Sequence, residues 1–309
     1  MWTLYLPIAG NSINILLLFG LGAAVGFLSG LFGVGGGFLM TPLLIMAGIP
    51  STVAAASDSN QIVAASTSGT FAHYRMGNVD FKMGILLLVG GVVGGTLGVQ
   101  LIKVLVALGN ADFVIKITYV VMLGVVGFYM FLESLQSLRK KAVVVAKRPE
   151  TGRSSAYARA IQALPWQMQF EKSGVTFSAL VPLILGTLVG ILAAIMGVGG
   201  GFIMVPVMVY LLRMPMHVVV GTSLFQILFT CINVTIMQSI TNHTVDLVLA
   251  LILLVGSTLG AQVGAKLSRR LKADQLKILL ASIVLLVMVQ ILVSLVLPPK
   301  LLLGFKGGH

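Results

Sequence analysis

Three stretches of this chain, Ile85–Ile102, Val114–Leu132 and Ile278–Leu297, are predominantly apolar runs. Each is about as long as the 20 residues a helix needs to cross hydrocarbon, at roughly 1.5 Å of rise per residue. A soluble domain would need a charged surface to hold such runs in water. Only 9% of the 309 residues are charged, 58% are hydrophobic, and the mean hydropathy is +1.06. These observations predict an all-α polytopic membrane protein with about 8–10 membrane segments.

Apolar segments fall at about 13–32, 38–48, 51–74, 82–105 and 112–135, and resume at about 176–196, 202–212, 216–240, 246–267 and 274–298. The division is therefore an N-terminal membrane repeat, 1–135, a basic cytoplasmic linker, 136–175, and a C-terminal membrane repeat, 176–309. Within the linker, Ala156–Phe170 reads either as a short amphipathic helix at the membrane surface or as unstructured. The N-terminus has no basic stretch before its first apolar run and reads as an ordinary first span.

The two membrane parts repeat each other. Gly33-Val34-Gly35-Gly36-Gly37-Phe38, with Pro42 following, returns as Gly197-Val198-Gly199-Gly200-Gly201-Phe202, with Pro206 following. The match continues in one order: Ile49-Pro50 with Met214-Pro215, Ser57-Asp58 with Thr222-Ser223, and Gln61 with Gln226. It ends with Val79-Asp80 against Val245-Asp246, and Gly90, Gly94 and Gly98 against Gly256, Gly260 and Gly264. Internal duplication with paired Gly/Pro breaks is the best sequence pointer to the substrate site of a secondary transporter.

The formal charge of +12 is concentrated in loops. Arg139, Lys140, Lys141, Lys147, Arg148, Arg153, Arg159 and Lys172 crowd the linker; Lys266, Arg269, Arg270, Lys272 and Lys277 crowd a second loop. Basic loops of this kind are retained on the cytoplasmic side. Neither interleaves its charges with aromatics on a folded surface, which argues against a nucleic-acid partner. With both loops inside, the loop near Arg75 and Lys82 is also inside, whereas its counterpart Thr241–Asp246 is outside and lacks Lys or Arg. The halves are thus expected to have inverted topology, with both termini external. Lys103 and Lys116, near an outer loop, run against this assignment.

The breaks are the first candidates for chemistry. Segments 38–48 and 202–212 are about half as long as a full span requires. Gly33, Gly35, Gly36, Gly37, Gly197, Gly199, Gly200 and Gly201 could turn backbone N–H groups toward one point, and the helix start that follows adds partial positive charge. Two such starts facing each other would bind an anion without a buried cationic side chain, which is expensive in lipid. The same glycines could instead serve tight packing or a bend.

Gln61 and Gln226 are polar and lie inside apolar segments, where a neutral amide can either donate to a substrate oxygen or bond between helices. For Ser57, Ser59, Thr222 and Ser223 the interhelical reading is the better one. Asp58 is the one carboxylate well inside a span, and its counterpart is Ser223. It is a candidate for proton coupling, unless it is simply solvated in a vestibule. His73, His217 and His243 show no metal-ligand spacing, no cofactor motif stands out, and the lone Cys231 precludes an intrachain disulfide. The Gly90 and Gly256 stripes have the small-residue spacing that lets helices approach closely.

The paired GVGGGF breaks with their prolines, the two-half organisation, the matched glutamines and the length resemble the sulfite exporter TauE/SafE family, also called the toluene sulfonate uptake permease family. The resemblance covers about 13–298. It implies a bacterial inner-membrane transporter of small anions, particularly sulfur oxyanions, sulfonates or related organic acids. The expected function is alternating-access transport of such an anion. An anion channel using the same cavity is the alternative, and an intramembrane enzyme would need a nucleophile–base pair or metal cluster that does not stand out. Substrate, direction, coupling ion, the role of the linker and the choice between monomer and homodimer are left open by these residues.

Overall fold

The structure is a computed structural model and describes residues 3–32, 37–139, 165–170, 172–212, 214–268 and 273–296. Each half begins with a short antiparallel hairpin and continues with five helical segments. In the first half the hairpin pairs β1 (Thr3–Leu6) with β2 (Asn11–Asn14), in the register Thr3 opposite Asn14. The helices are α1 (Ile15–Phe32), α2 (Gly37–Met46), α3 (Ser51–Arg75), α4 (Phe81–Ala107) and α5 (Ala111–Arg139). In the second half β3 (Gln167–Phe170) pairs with β4 (Val175–Ser178), and α6 (Leu180–Met196), α7 (Gly201–Pro206), α8 (Met216–Thr241), α9 (Leu247–Ser268) and α10 (Ala273–Val296) follow. Four of these, Phe81–Ala107, Ala111–Tyr129, Met216–Thr241 and Leu247–Gly264, are long and apolar enough to cross a membrane on their own.

The hairpins were not expected from the sequence. Of the span 156–170, offered above as a surface helix or as unstructured, only Pro165–Phe170 is described, and Gln167–Phe170 is a strand. Each hairpin turns on a left-handed glycine, Gly10 at φ 67° and Gly174 at φ 65°. The glycine N–H closes the turn on Leu6 O in one and on Phe170 O in the other.

Helix packing follows the small residues. α4 lies along α6, and α9 lies along α1. A Cβ on Gly94 would fall on the carbonyl oxygen of Thr187, and one on Gly260 would fall on that of Ala23. Backbones this close leave no room for any side chain at the seam, as the small-residue spacing predicted. The opposite faces of α4 and α9 are apolar and exposed: Ile85, Val89, Val93, Leu97 and Leu101 on one, and Leu251, Val255, Leu259, Val263 and Leu267 on the other. Exposed aliphatic stripes of that length are stable facing lipid, where apolar contact costs nothing, and not facing water.

The short segments differ in detail. α2 is a ten-residue helix with Pro42 inside it. α7 has only six residues, after which Val207–Leu211 is a π-helical turn. Pro206 has no N–H to continue the α-helical ladder, but Pro42 at the matching place is accommodated, so proline alone does not set the wider turn.

The two halves also cap each other. Asp80 caps α4 by accepting from Met83 N at 3.2 Å, and Asp246 caps α9 by accepting from Leu249 N at 3.1 Å. The backbone N–H of Asp80 donates to Thr222 Oγ1 in the second half, at 3.0 Å. That of Asp246 donates to Ser57 Oγ in the first half, at 3.1 Å. The remaining carboxylate oxygens reach the hairpins: Asp80 Oδ2 accepts from Ser173 N (3.2 Å) and Ser173 Oγ (2.5 Å), and Asp246 Oδ2 accepts from Ile8 N (3.2 Å).

Candidate functional site

α3 and α8 pack against each other and bury an unusual number of polar side chains for membrane helices. Ser57, Asp58, Ser59, Gln61 and Ser66 are buried on α3; Thr222, Ser223, Gln226, Thr230 and Gln238 are buried on α8. The second glycine break enters this region. Gly197, Gly199 and Gly200 have φ of 73°, 68° and 79°, a conformation that costs a residue with Cβ about 1–2 kcal/mol. Space excludes a side chain as well. A Cβ on Gly197 would overlap the carbonyl oxygen of Ala55 on α3, and one on Gly200 would lie 2.6 Å from Val189 Cγ1. The break is therefore fixed both by its conformation and by its contact with the first half.

The ends of both breaks meet at one place. A Cβ on Gly37 would strike Ile62 Cδ1, and one on Gly201 would lie 2.5 Å from Ile227 Cδ1. Ile62 and Ile227 occupy matching positions, each one residue after a matched glutamine, and pack together with Cys231. Phe38 and Phe202, the residues that follow the two glycine runs, stack with ring centroids 4.4 Å apart and planes 14° apart. Of the expected site residues, Gly33, Gly35 and Gly36 lie outside the described residues. Gly37, Gly197, Gly199, Gly200 and Gly201 are all buried at or next to this meeting point.

Asp58 is fully buried, so it does not sit in a wetted vestibule. Thr41 Oγ1, on α2, donates to its Oδ2 at 2.9 Å, while Oδ1 has no partner among the described residues. The carboxylate oxygen Oδ2 would be 3.5 Å from a Cβ on Gly37, which places the acid beside the start of α2. Tyr119 of α5, also fully buried, donates its hydroxyl hydrogen to the carbonyl oxygen of Met196, the last residue before the second break. Nothing in the residue pattern singles out Thr41 or Tyr119, since a lone hydroxyl in an apolar run is usually interhelical glue.

Gln226 Nε2 donates to Thr230 Oγ1 at 2.8 Å. The Oε1 atoms of Gln61 and Gln226 are buried with no partner among the described residues. An unpartnered buried polar atom costs about 1–3 kcal/mol; these oxygens accept, so a donor such as water relieves the cost, and an anion would be met by the amide Nε2 hydrogens instead. Three of the four hydroxyls tie separate elements together, whereas Ser223 Oγ donates to Val220 O of its own helix at 3.1 Å. Ser59 Oγ donates to Ala55 O (3.2 Å) and to Gly197 O (3.3 Å), tying α3 to the break, and Ser57 and Thr222 carry the reciprocal links described above.

A bundle of membrane-spanning helices, interrupted by two broken segments that meet among buried polar groups, has the form of a membrane transporter. The chain belongs to the sulfite exporter TauE/SafE family, whose model matches residues 18–291. It is 26% identical over 288 residues to "Probable membrane transporter protein YunE" of Bacillus subtilis, spanning 91% of this chain and 98% of the relative. It is 30% identical over 267 residues to "Probable membrane transporter protein YdhB" of the same organism, spanning 85% and 92%. A relative from Methanocaldococcus jannaschii, "Probable membrane transporter protein MJ0441", is 26% identical over 286 residues, spanning 86% and 91%. No solved structure matches the chain. The protein is a multi-pass membrane transporter.

Proposed function

We propose that this transporter moves a small sulfur-containing anion, such as sulfite, a sulfonate or a related organic anion, across the bacterial inner membrane by alternating access. The stacking of Phe38 on Phe202 carries the reading, because it brings the two glycine breaks to one centre. The anion would sit between the two helix starts, where backbone N–H groups and partial positive charge replace water without a buried cation. Gln61 and Gln226 would orient it through their amides. Inverted halves would then rock about this centre, opening it to one side at a time.

Two observations favour a carrier over an open channel. Among the described residues, Gly37–Pro42 and Gly197–Met204 are buried throughout, as an occluded state of a carrier would have them. The reciprocal Asp80 and Asp246 links hold matching ends of the two halves, and such paired contacts can open one at a time. Proton coupling would use Asp58, which lies beside the start of α2, has one oxygen without a partner among the described residues, and has as its counterpart Ser223, a group that does not titrate near neutral pH.

Purified protein in proteoliposomes should carry sulfite or a small sulfonate with saturable kinetics. Gly200→Leu, which forces a side chain into Val189, should abolish that flux, whereas Gly10→Leu, at a similar φ with open space around it, should fold and transport. Full flux through Gly200→Leu would remove the site assignment. Absence of saturable flux for every sulfur anion offered would remove the substrate class.

A further inference from the structure

A surface groove of about 330 Å³ lies away from the glycine breaks, where the last turns of α3 meet the start of α4 and the flank of α8. Its walls are aromatic. Tyr74 meets Phe81 edge to face at 5.8 Å, Phe81 meets Phe225 at 5.5 Å, and Phe225 meets Phe229 at 5.2 Å. Phe71, Tyr74, Phe81 and Phe229 remain exposed.

Two cations rim the groove. The Arg75 guanidinium carbon is 4.4 Å from the Phe71 ring centroid, and Lys172 Nζ is 6.0 Å from that of Phe81. Lys172 donates to Val79 O at 3.1 Å, which uses one of the three donors of an ammonium. Among the described residues, Asp80 is buried beneath this rim and spends both carboxylate oxygens on Met83 and Ser173, while Arg75 and Lys172 are held over the rings. Inside the groove, Thr70 Oγ1 is buried with no partner among the described residues.

The duplicated fold does not require these features. Where the first half has Phe71, Tyr74, Arg75 and Phe81, the second has Ile236, Ser239, Ile240 and Leu247; Phe225 and Phe229 are matched by Asn60 and Ala64. In the first hairpin, Ile8 stands where the second has Lys172. Aromatics and cations were thus assembled on one side only.

We propose that this groove seats one acidic phospholipid. Its phosphate lies between Arg75 and Lys172, an ester carbonyl accepts from Thr70, and an acyl chain lies over the aromatic row. Exposed rings beneath a cationic rim, at the end of a span, match the order of headgroup and chain at a membrane interface. A water-soluble anion would satisfy the cations but leave the rings and the apolar floor uncovered.

The test is native mass spectrometry of the full chain in detergent, with phosphatidylglycerol and phosphatidylcholine of identical chains. Two cations near a phosphate should favour the acidic lipid by roughly ten- to thirty-fold. The combined Arg75→Gln and Lys172→Gln variant should bring its retention down to that of phosphatidylcholine, and Thr70→Val should weaken both lipids alike. Arg75→Gln alone, at an exposed residue, guards against a folding artefact and should lose part of the preference. Equal retention of the two lipids, or a preference unchanged in the double variant, would overturn the proposal. So would glycerol phosphate alone binding as tightly as the lipid, since the site would then read only the headgroup.

Discussion

At the scale of single residues, two kinds of position dominate: glycines with no alternative and an acid whose hydrogen-bond set is incomplete among the described residues. Gly199 combines φ 68° with contacts that a Cβ would make on Cys231 Sγ and, at 2.9 Å, on Ile227 Cγ2. Conformation and space therefore give the same answer there, whereas at Gly10 only conformation does. Asp58 is a different case, because its burial with one partnered oxygen is costly in an apolar setting. Asp58→Asn keeps the shape and an oxygen that Thr41 can donate to, yet removes the group that can change protonation. The variant should fold with a thermal midpoint within a few degrees of the parent. It should retain exchange of labelled for unlabelled anion across proteoliposomes, but lose accumulation driven by an imposed pH gradient. If gradient-driven accumulation survives, Asp58 is not the coupling group and its role is confined to packing against Thr41.

At the scale of elements, the reciprocal caps add directed hydrogen bonds between the halves to the close packing of the helix seams. Asp80 serves the N-terminus of α4, a hydroxyl of α8 and the second hairpin together. Asp80→Ala removes a helix cap worth about 0.5–2 kcal/mol and strands donors of Ser173 at a further 1–3 kcal/mol or so. Asp80→Asn, which keeps one oxygen for the Met83 N–H, should cost less. Thermal unfolding of both variants, and of the matching pair at Asp246, checks the order; equal losses for Ala and Asn would mean that the hairpin contact carries all the energy. The sequence exposed much of this level and missed the rest for physical reasons. Apolar runs and paired glycines marked the spans and the short segments, because hydrophobic length and left-handed turns leave direct compositional traces. The hairpins left none: strands of four residues between ordinary loop residues carry no periodicity long enough to read. Ser57 and Thr222 were visible as matched hydroxyls, but the donors they serve, the N–H groups of Asp246 and Asp80, are backbone groups that only the fold brings near. The Phe38–Phe202 stack was equally hidden, since its two members are separated by half the chain.

At the scale of the whole molecule, the question is how two copies of one unit are set against each other. α1 packs along α9 and α6 along α4, so each half lends its first helix to the fourth helix of the other. The breaks end on stacked phenylalanines. An odd number of crossings in each half would insert the copies in opposite senses, and opposite insertion is what allows two equivalent helix starts to point at one centre from opposite sides of the membrane. The loop charges give that same expectation at one pair of loops, where Arg75 and Lys82 flank the first and Thr241–Asp246 carries no Lys or Arg, while Lys103 and Lys116 run against it. A cysteine-free background is reached by replacing only Cys231. Within it, Met76→Cys and His243→Cys place single thiols at exposed residues of these two matched loops. A membrane-impermeant maleimide should label the His243→Cys protein in intact cells and the Met76→Cys protein only after permeabilisation. Labelling of both from one side would make the halves parallel; the two helix starts would then approach the stacked phenylalanines from the same direction, and a shared anion pocket between facing helix ends could not form.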